Sequence, residues 1–128
     1  MSVTKYIKRY WPTGLVVATI LYATWLPAPI GDETLPSIPN IDKWIHAAFG
    51  FGLVCALAFD NFRAGVRLSL TRLLVLTLCA MAAMAVDEVV QGLLPIGRPS
   101  DAMDLLADWA GTAIGALAGP AVLNLFRK

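Results

Sequence analysis

Hydrophobic positions fall into four long runs, at about 10–26, 44–59, 73–94 and 103–126, with prolines and most charges gathered between them. A helix rises about 1.5 Å per residue and a bilayer core is about 30 Å thick, so each run can cross, or nearly cross with its flanks. The first two are short, bounded by Pro27 and Asp60, and need interfacial Tyr10, Trp11, Trp25 and Trp44 to match the bilayer. The pattern predicts an all-α integral membrane four-helix bundle. Residues 1–128 form a single domain in this reading, with no internal repeat and no low-complexity tract. The basic start MSVTKYIKRYW leads into an apolar run with no small-residue cleavage site after it, so it is expected to be retained as an uncleaved first span.

The connections supply orientation. Lys5, Lys8, Arg9, Arg63, Arg67, Arg72, Arg127 and Lys128 lie on one side of the predicted spans and only Lys43 and Arg98 on the other, eight against two. Basic residues near spans are retained in the cytoplasm, so both termini are predicted inside, with loops 27–43 and 95–102 outside. The first outer loop, PAPIGDETLPSIPNIDK, is rich in proline and turn formers and predicts no regular element beyond a turn.

Composition strengthens the membrane reading. The chain is 58% hydrophobic and 15% charged, and its mean hydropathy of +0.68 lies outside the soluble globular norm. A net charge of +1 leaves no basic footprint, which sets nucleic acid aside as a partner. Cys55 and Cys79 sit in separate apolar runs and read as small embedded hydrophobes rather than a disulfide or metal pair.

Polar residues inside such runs are the candidate chemistry. From Asp87 to Gly119 the chain carries five carboxylates, Gln91 and Arg98 among mostly apolar neighbours. An ionisable group well inside a bilayer costs about 2.5–3.5 kcal/mol on insertion scales, which makes a functional role the first hypothesis. On a helical projection Asp104, Asp108, Gly111, Gly115 and Gly119 share a sector of about 80°, a small-residue seam that turns both aspartates into the bundle. Thr77, Met81, Met84, Glu88 and Gln91 share a face of the third run, with Asp87 about 100° away, toward headgroups or a neighbour. Asp42, His46, Phe49 and Leu53 share a face of the second. His46, Glu88 and Asp108 then reach a similar depth, about 6–12 Å below the outer surface. Plainer roles compete with these: Asp42 and Ser100 as helix N-caps, first-turn acids favoured by the helix dipole, Arg98 as a counter-charge, and His46, Glu88, Gln91 and Asp108 as a structural hydrogen-bonded cluster.

The ordered series Asp42-Lys43-x-x-His46-x-x-Phe49, Asp87-Glu88-x-x-Gln91, Arg98 and Asp104-x-x-x-Asp108-x-x-Gly111-x-x-x-Gly115 resembles the VanZ-like family of small bacterial membrane proteins, over roughly residues 40–119. One departure is Asp108, where the family usually has Asn. The family is named for a member linked to resistance to teicoplanin, an acylated glycopeptide antibiotic. The resemblance implies a multi-pass protein of the bacterial inner membrane with a cell-envelope role, and does not by itself imply resistance.

The ligand-binding candidates are Asp42, Lys43, His46, Glu88, Gln91, Arg98, Asp104 and Asp108. Lys43, His46 and Arg98 form an expected cationic rim, with Glu88, Gln91, Asp104 and Asp108 behind it, suited to an anionic amphiphile such as a polyprenyl-phosphate-linked precursor or an acylated glycopeptide. Two other classes stay open. A membrane enzyme can use His46, Glu88 and Asp108 in acid/base work on a lipid-linked phosphate or glycan, and the same groups can hold a divalent cation. A small proton-coupled transporter can use Glu88 as its relay. A scaffold role, with polar residues only fixing helix register, and homo-oligomerisation through a small-residue face are also compatible with the pattern.

Overall fold

The structure, a computed structural model, describes residues 2–26, 38–97 and 99–127, and among them all regular structure is helical. The helices are α1 (Val3–Trp25), α2 (Ile41–Arg63), α3 (Leu70–Leu93) and α4 (Ala102–Asn124). Each begins before its apolar run, because local caps decide where a helix starts. Asn40 enters α2 from the left-handed region at φ 58°, the Ser69 side chain accepts the Arg72 N–H at 3.2 Å, and the Asp101 carboxylate accepts the Met103 N–H at 2.8 Å. The two expected N-caps are therefore displaced: Asp42 lies in the first turn of α2, and the Ser100 hydroxyl donates to the Glu88 carbonyl at 2.9 Å. The outer-loop reading of 27–43 falls mostly outside the described residues, as does Arg98.

α1 breaks where its character changes. Tyr10 leaves helical geometry (φ −110°, ψ 20°) two residues before Pro12, whose ring crowds the carbonyl four positions back. The N–H groups that restart the helix need acceptors, and a residue of α2 provides one: Asp60 Oδ2 accepts from the Thr13 N–H at 3.1 Å and from the Thr13 hydroxyl at 2.6 Å. Arg9, before the break, donates to Asn61 at 2.9 Å.

α2, α3 and α4 are each long and apolar enough to cross a membrane. α1 is not among these three, since Lys5, Lys8 and Arg9 occupy its first half. The expected first span, 10–26, corresponds to the stretch beyond the kink. The helices run up and down, so that charges segregate. One end, here the acidic end, gathers Asp42, Asp87, Glu88, Asp101, Asp104 and Asp108. The basic end gathers Lys5, Lys8, Arg9, Arg63, Arg67, Arg72 and Arg127.

The tightest packing is between α2 and α4, along the glycine seam. A Cβ on Gly111 would collide with the backbone of Ala47, one on Gly50 with the Asp108 carbonyl, and one on Gly115 with Val54 and Phe51. Backbones come this close only where side chains are absent. Ile20, Leu53, Ala80 and Met84 form the buried core, with Val16, Phe49, Leu57 and Leu105 packed on it. Leu74, Leu78, Val86, Ile114 and Leu117 face outward, as expected of a lipid-facing surface. Cys55 donates weakly to the Gly115 carbonyl at 3.7 Å and Cys79 lies on the outer surface; both are free, in keeping with their reading as embedded hydrophobes.

Candidate functional site

The seam brings the first turns of α2 and α4 together, and Gly92 near the end of α3 lets the turn before α4 fold back against it, with Ser100 where a Cβ would stand. Four side chains from three helices therefore meet at the acidic end. His46 of α2 is 4% exposed and Asp108 of α4 is 1% exposed, so neither is solvated by bulk water. His46 Nδ1 lies 3.2 and 3.3 Å from the two carboxylate oxygens of Asp108, and its Nε2 lies 3.5 Å from Asp104 Oδ2. Glu88 of α3 accepts the Asp101 N–H on Oε1 at 2.7 Å. Its other oxygen, Oε2, is buried without a donor.

Lys43 departs from the expected cationic rim. Its ammonium lies 3.1 Å from Asp42 Oδ2 and 3.1 Å from Asp101 Oδ2, and makes a short bond to Asp104 Oδ1. An ammonium has three donors, and all three are taken by aspartates. Lys43 is thus the counter-charge of the aspartates around it. The half-exposed Asp101 carboxyl is held below its ordinary range by the Met103 N–H and then by Lys43.

The structure therefore joins Asp42, Lys43, His46, Glu88, Asp104 and Asp108 into one network, directly or through Asp104 and Asp101. Gln91 is buried on the Glu88 face of α3, its Oε1 without a donor. Asp87 takes the neighbour option: it is buried against α1, where the Thr24 hydroxyl lies 2.9 Å from both Asp87 Oδ1 and the Ile20 carbonyl and shares one proton between them. Thr24 carried no signal in the sequence, being one of several threonines in apolar runs. Asp60 was legible only as a run boundary.

Two features bear on chemistry. His46, Glu88 and Asp108 each offer a ligand atom, all within 4.8 Å of one another. Between α1 and α3, an apolar groove of about 270 Å³ runs past Val17, Ile20, Leu21 and Met84 to Trp25 and Asp87, next in sequence to Glu88.

A family model described as VanZ/LLP1 matches residues 3–124 of the chain. No curated protein and no solved structure gives a significant match.

Proposed function

The chain belongs to the VanZ-like family, and from that premise we propose that it holds a cell-envelope amphiphile, tail in the α1/α3 groove and head at the acidic end. The observation that carries this reading is the groove itself, apolar along its length and ending on a buried carboxylate. Its volume, about 270 Å³, is near the lower limit of about 300 Å³ for ligand pockets and suits a segment of acyl or prenyl chain.

The head group is constrained by what faces it. With Lys43 saturated, the buried side-chain oxygens without donors among the described residues at this end are Asp87 Oδ2, Glu88 Oε2 and Gln91 Oε1. Acceptors call for donors, so hydroxyls and amides suit the site better than a bare phosphate. A lipid-linked glycan precursor and an acylated glycopeptide share that chemistry. In this reading the acidic end faces outward in the bacterial inner membrane and both termini lie inside, which reporter fusions at the C-terminus and in loop 27–37 check directly.

The test fills the groove. Ala83→Trp places an indole where the tail would lie, and is expected to weaken capture of a photoreactive prenyl-linked glycan in vesicles at least tenfold, with helicity and insertion unchanged. Undiminished, saturable capture by that variant removes the groove from the account. Catalysis on the same head group is favoured by one observation, the buried imidazole aligned between two carboxylates, an arrangement suited to proton transfer. Turnover of a lipid-linked glycan or phosphate by purified protein, abolished in His46→Ala, would make the protein an enzyme; capture without turnover would make it a binder.

A further inference from the structure

We propose that His46, Glu88 and Asp108 form a divalent-cation site joining α2, α3 and α4, and that this site exists whether or not an amphiphile is bound. Three observations converge on it. The ligand atoms already lie within 4.8 Å of one another, on three different helices. Glu88 Oε2 is buried and has no donor, while Glu88 Oε1 is fixed by the Asp101 N–H at 2.7 Å, so the free oxygen is the one available to a cation. Nδ1 of His46 stands 3.2 Å from Asp108 Oδ1; two ligands each about 2.1 Å from one ion lie about 3.0–3.4 Å apart at octahedral to tetrahedral angles.

The surroundings fit the same assignment. With Nδ1 on the ion, His46 Nε2 keeps its proton, with Asp104 Oδ2 3.5 Å away, and Asp104 is itself held by Lys43. A carboxylate on that side of a ligating imidazole favours this tautomer. The charges also balance: two buried carboxylates in an apolar bundle are costly alone, and a dication compensates both. Of the buried side-chain oxygens without donors among the described residues at this end, the Glu88 one belongs to this cluster, and a cation would satisfy it. One imidazole with two carboxylates suits Zn²⁺ or Mn²⁺ better than Ca²⁺, which prefers more oxygens.

The competing occupant is a proton. A doubly protonated His46 donating to both Asp104 and Asp108 would fill the same space and take no metal. The experiment uses the full chain in detergent micelles, stripped with a chelator and titrated with Mn²⁺, free ion being read by its electron paramagnetic resonance, with Zn²⁺ as competitor. One saturable equivalent per chain is expected, with a rise in melting temperature on loading. Glu88→Gln and Asp108→Asn, which keep shape and remove charge, are expected to weaken binding at least tenfold, and Asp60→Asn, at the opposite end of α2, to leave it within twofold. Absence of saturable binding by the folded parent overturns the proposal in favour of the bridging imidazolium. Binding that survives Glu88→Gln but is lost in Asp42→Asn overturns it in favour of a surface site. If Glu88→Gln fails to fold, the parent titration and Asp108→Asn still decide.

Discussion

Gly111→Val is expected to leave little folded protein. The Cβ of any residue there would fall on the Ala47 backbone, and the neighbouring positions offer no relief, since Gly50 meets the Asp108 carbonyl and Gly115 meets Phe51 and Val54. A side chain can rotate away from a collision, whereas two helix backbones can only move apart. Overpacking of ordinary cores costs about 1–3 kcal/mol and more where nothing yields, against a total stability of about 5–15 kcal/mol for a typical domain. The same movement would open the site, because Ala47 follows His46 and Gly111 lies one turn beyond Asp108, whose contact with His46 is 3.2 Å. Gly14→Ala is the matched control: nothing lies within 4 Å of its Cβ, and replacing an interior helical glycine gains about 0.5–1 kcal/mol. Size-exclusion profiles and thermal unfolding in micelles read both. A Gly111→Val protein that elutes and melts like the parent would mean that α2 and α4 are not in backbone contact.

That seam is legible in the sequence, since Gly111, Gly115 and Gly119 follow Asp104 and Asp108 on one helical face. Its partner is not, because nothing in Gly50, Gly52 and the scattered alanines of α2 distinguishes it from the other helices as the neighbour. The common depth of His46, Glu88 and Asp108 followed from counting residues inward from the loops, which works because helical rise is constant. The role of Lys43 is hidden for the opposite reason. A long side chain reaches several ångströms in many directions, and the backbone path through Ser100 and Asp101, which brings two further aspartates to it, is set by the turn between α3 and α4 rather than by periodicity. For Asp87 the sequence allows lipid headgroups or a neighbour, since that choice depends on where α1 packs. Helix starts were predicted late because hydropathy marks where lipid contact begins, whereas hydrogen bonding carries α1 and α2 beyond it.

Asp60 shows how a charged residue that ends an apolar window can still be interior. It is fully buried, and its Oδ2 accepts both the backbone N–H and the hydroxyl of Thr13, where α1 resumes after Pro12. Oδ1 faces the Arg63 guanidinium at 3.6 Å. Asp60→Ala would orphan a helix-start N–H and a hydroxyl and leave Arg63 with only its contacts to the Trp11 and Phe59 rings, and hydrogen bonds to a charged acceptor are worth about 1.5–3 kcal/mol each. A loss of about 2–4 kcal/mol is therefore expected, measured by denaturant unfolding in micelles, with Asp60→Asn losing less because an acceptor remains. Pro12→Ala should couple to it. By easing the kink it lets Thr13 bond within its own helix, so a double-mutant cycle should show the pair less damaging than the sum of the single changes. Asp60 lies at the basic end, far along α2 from His46, so cation titration of Asp60→Asn should match the parent. A stability change within about 0.5 kcal/mol in Asp60→Ala, the range of ordinary surface substitutions, would mean that the α1 restart takes its hydrogen bonds elsewhere.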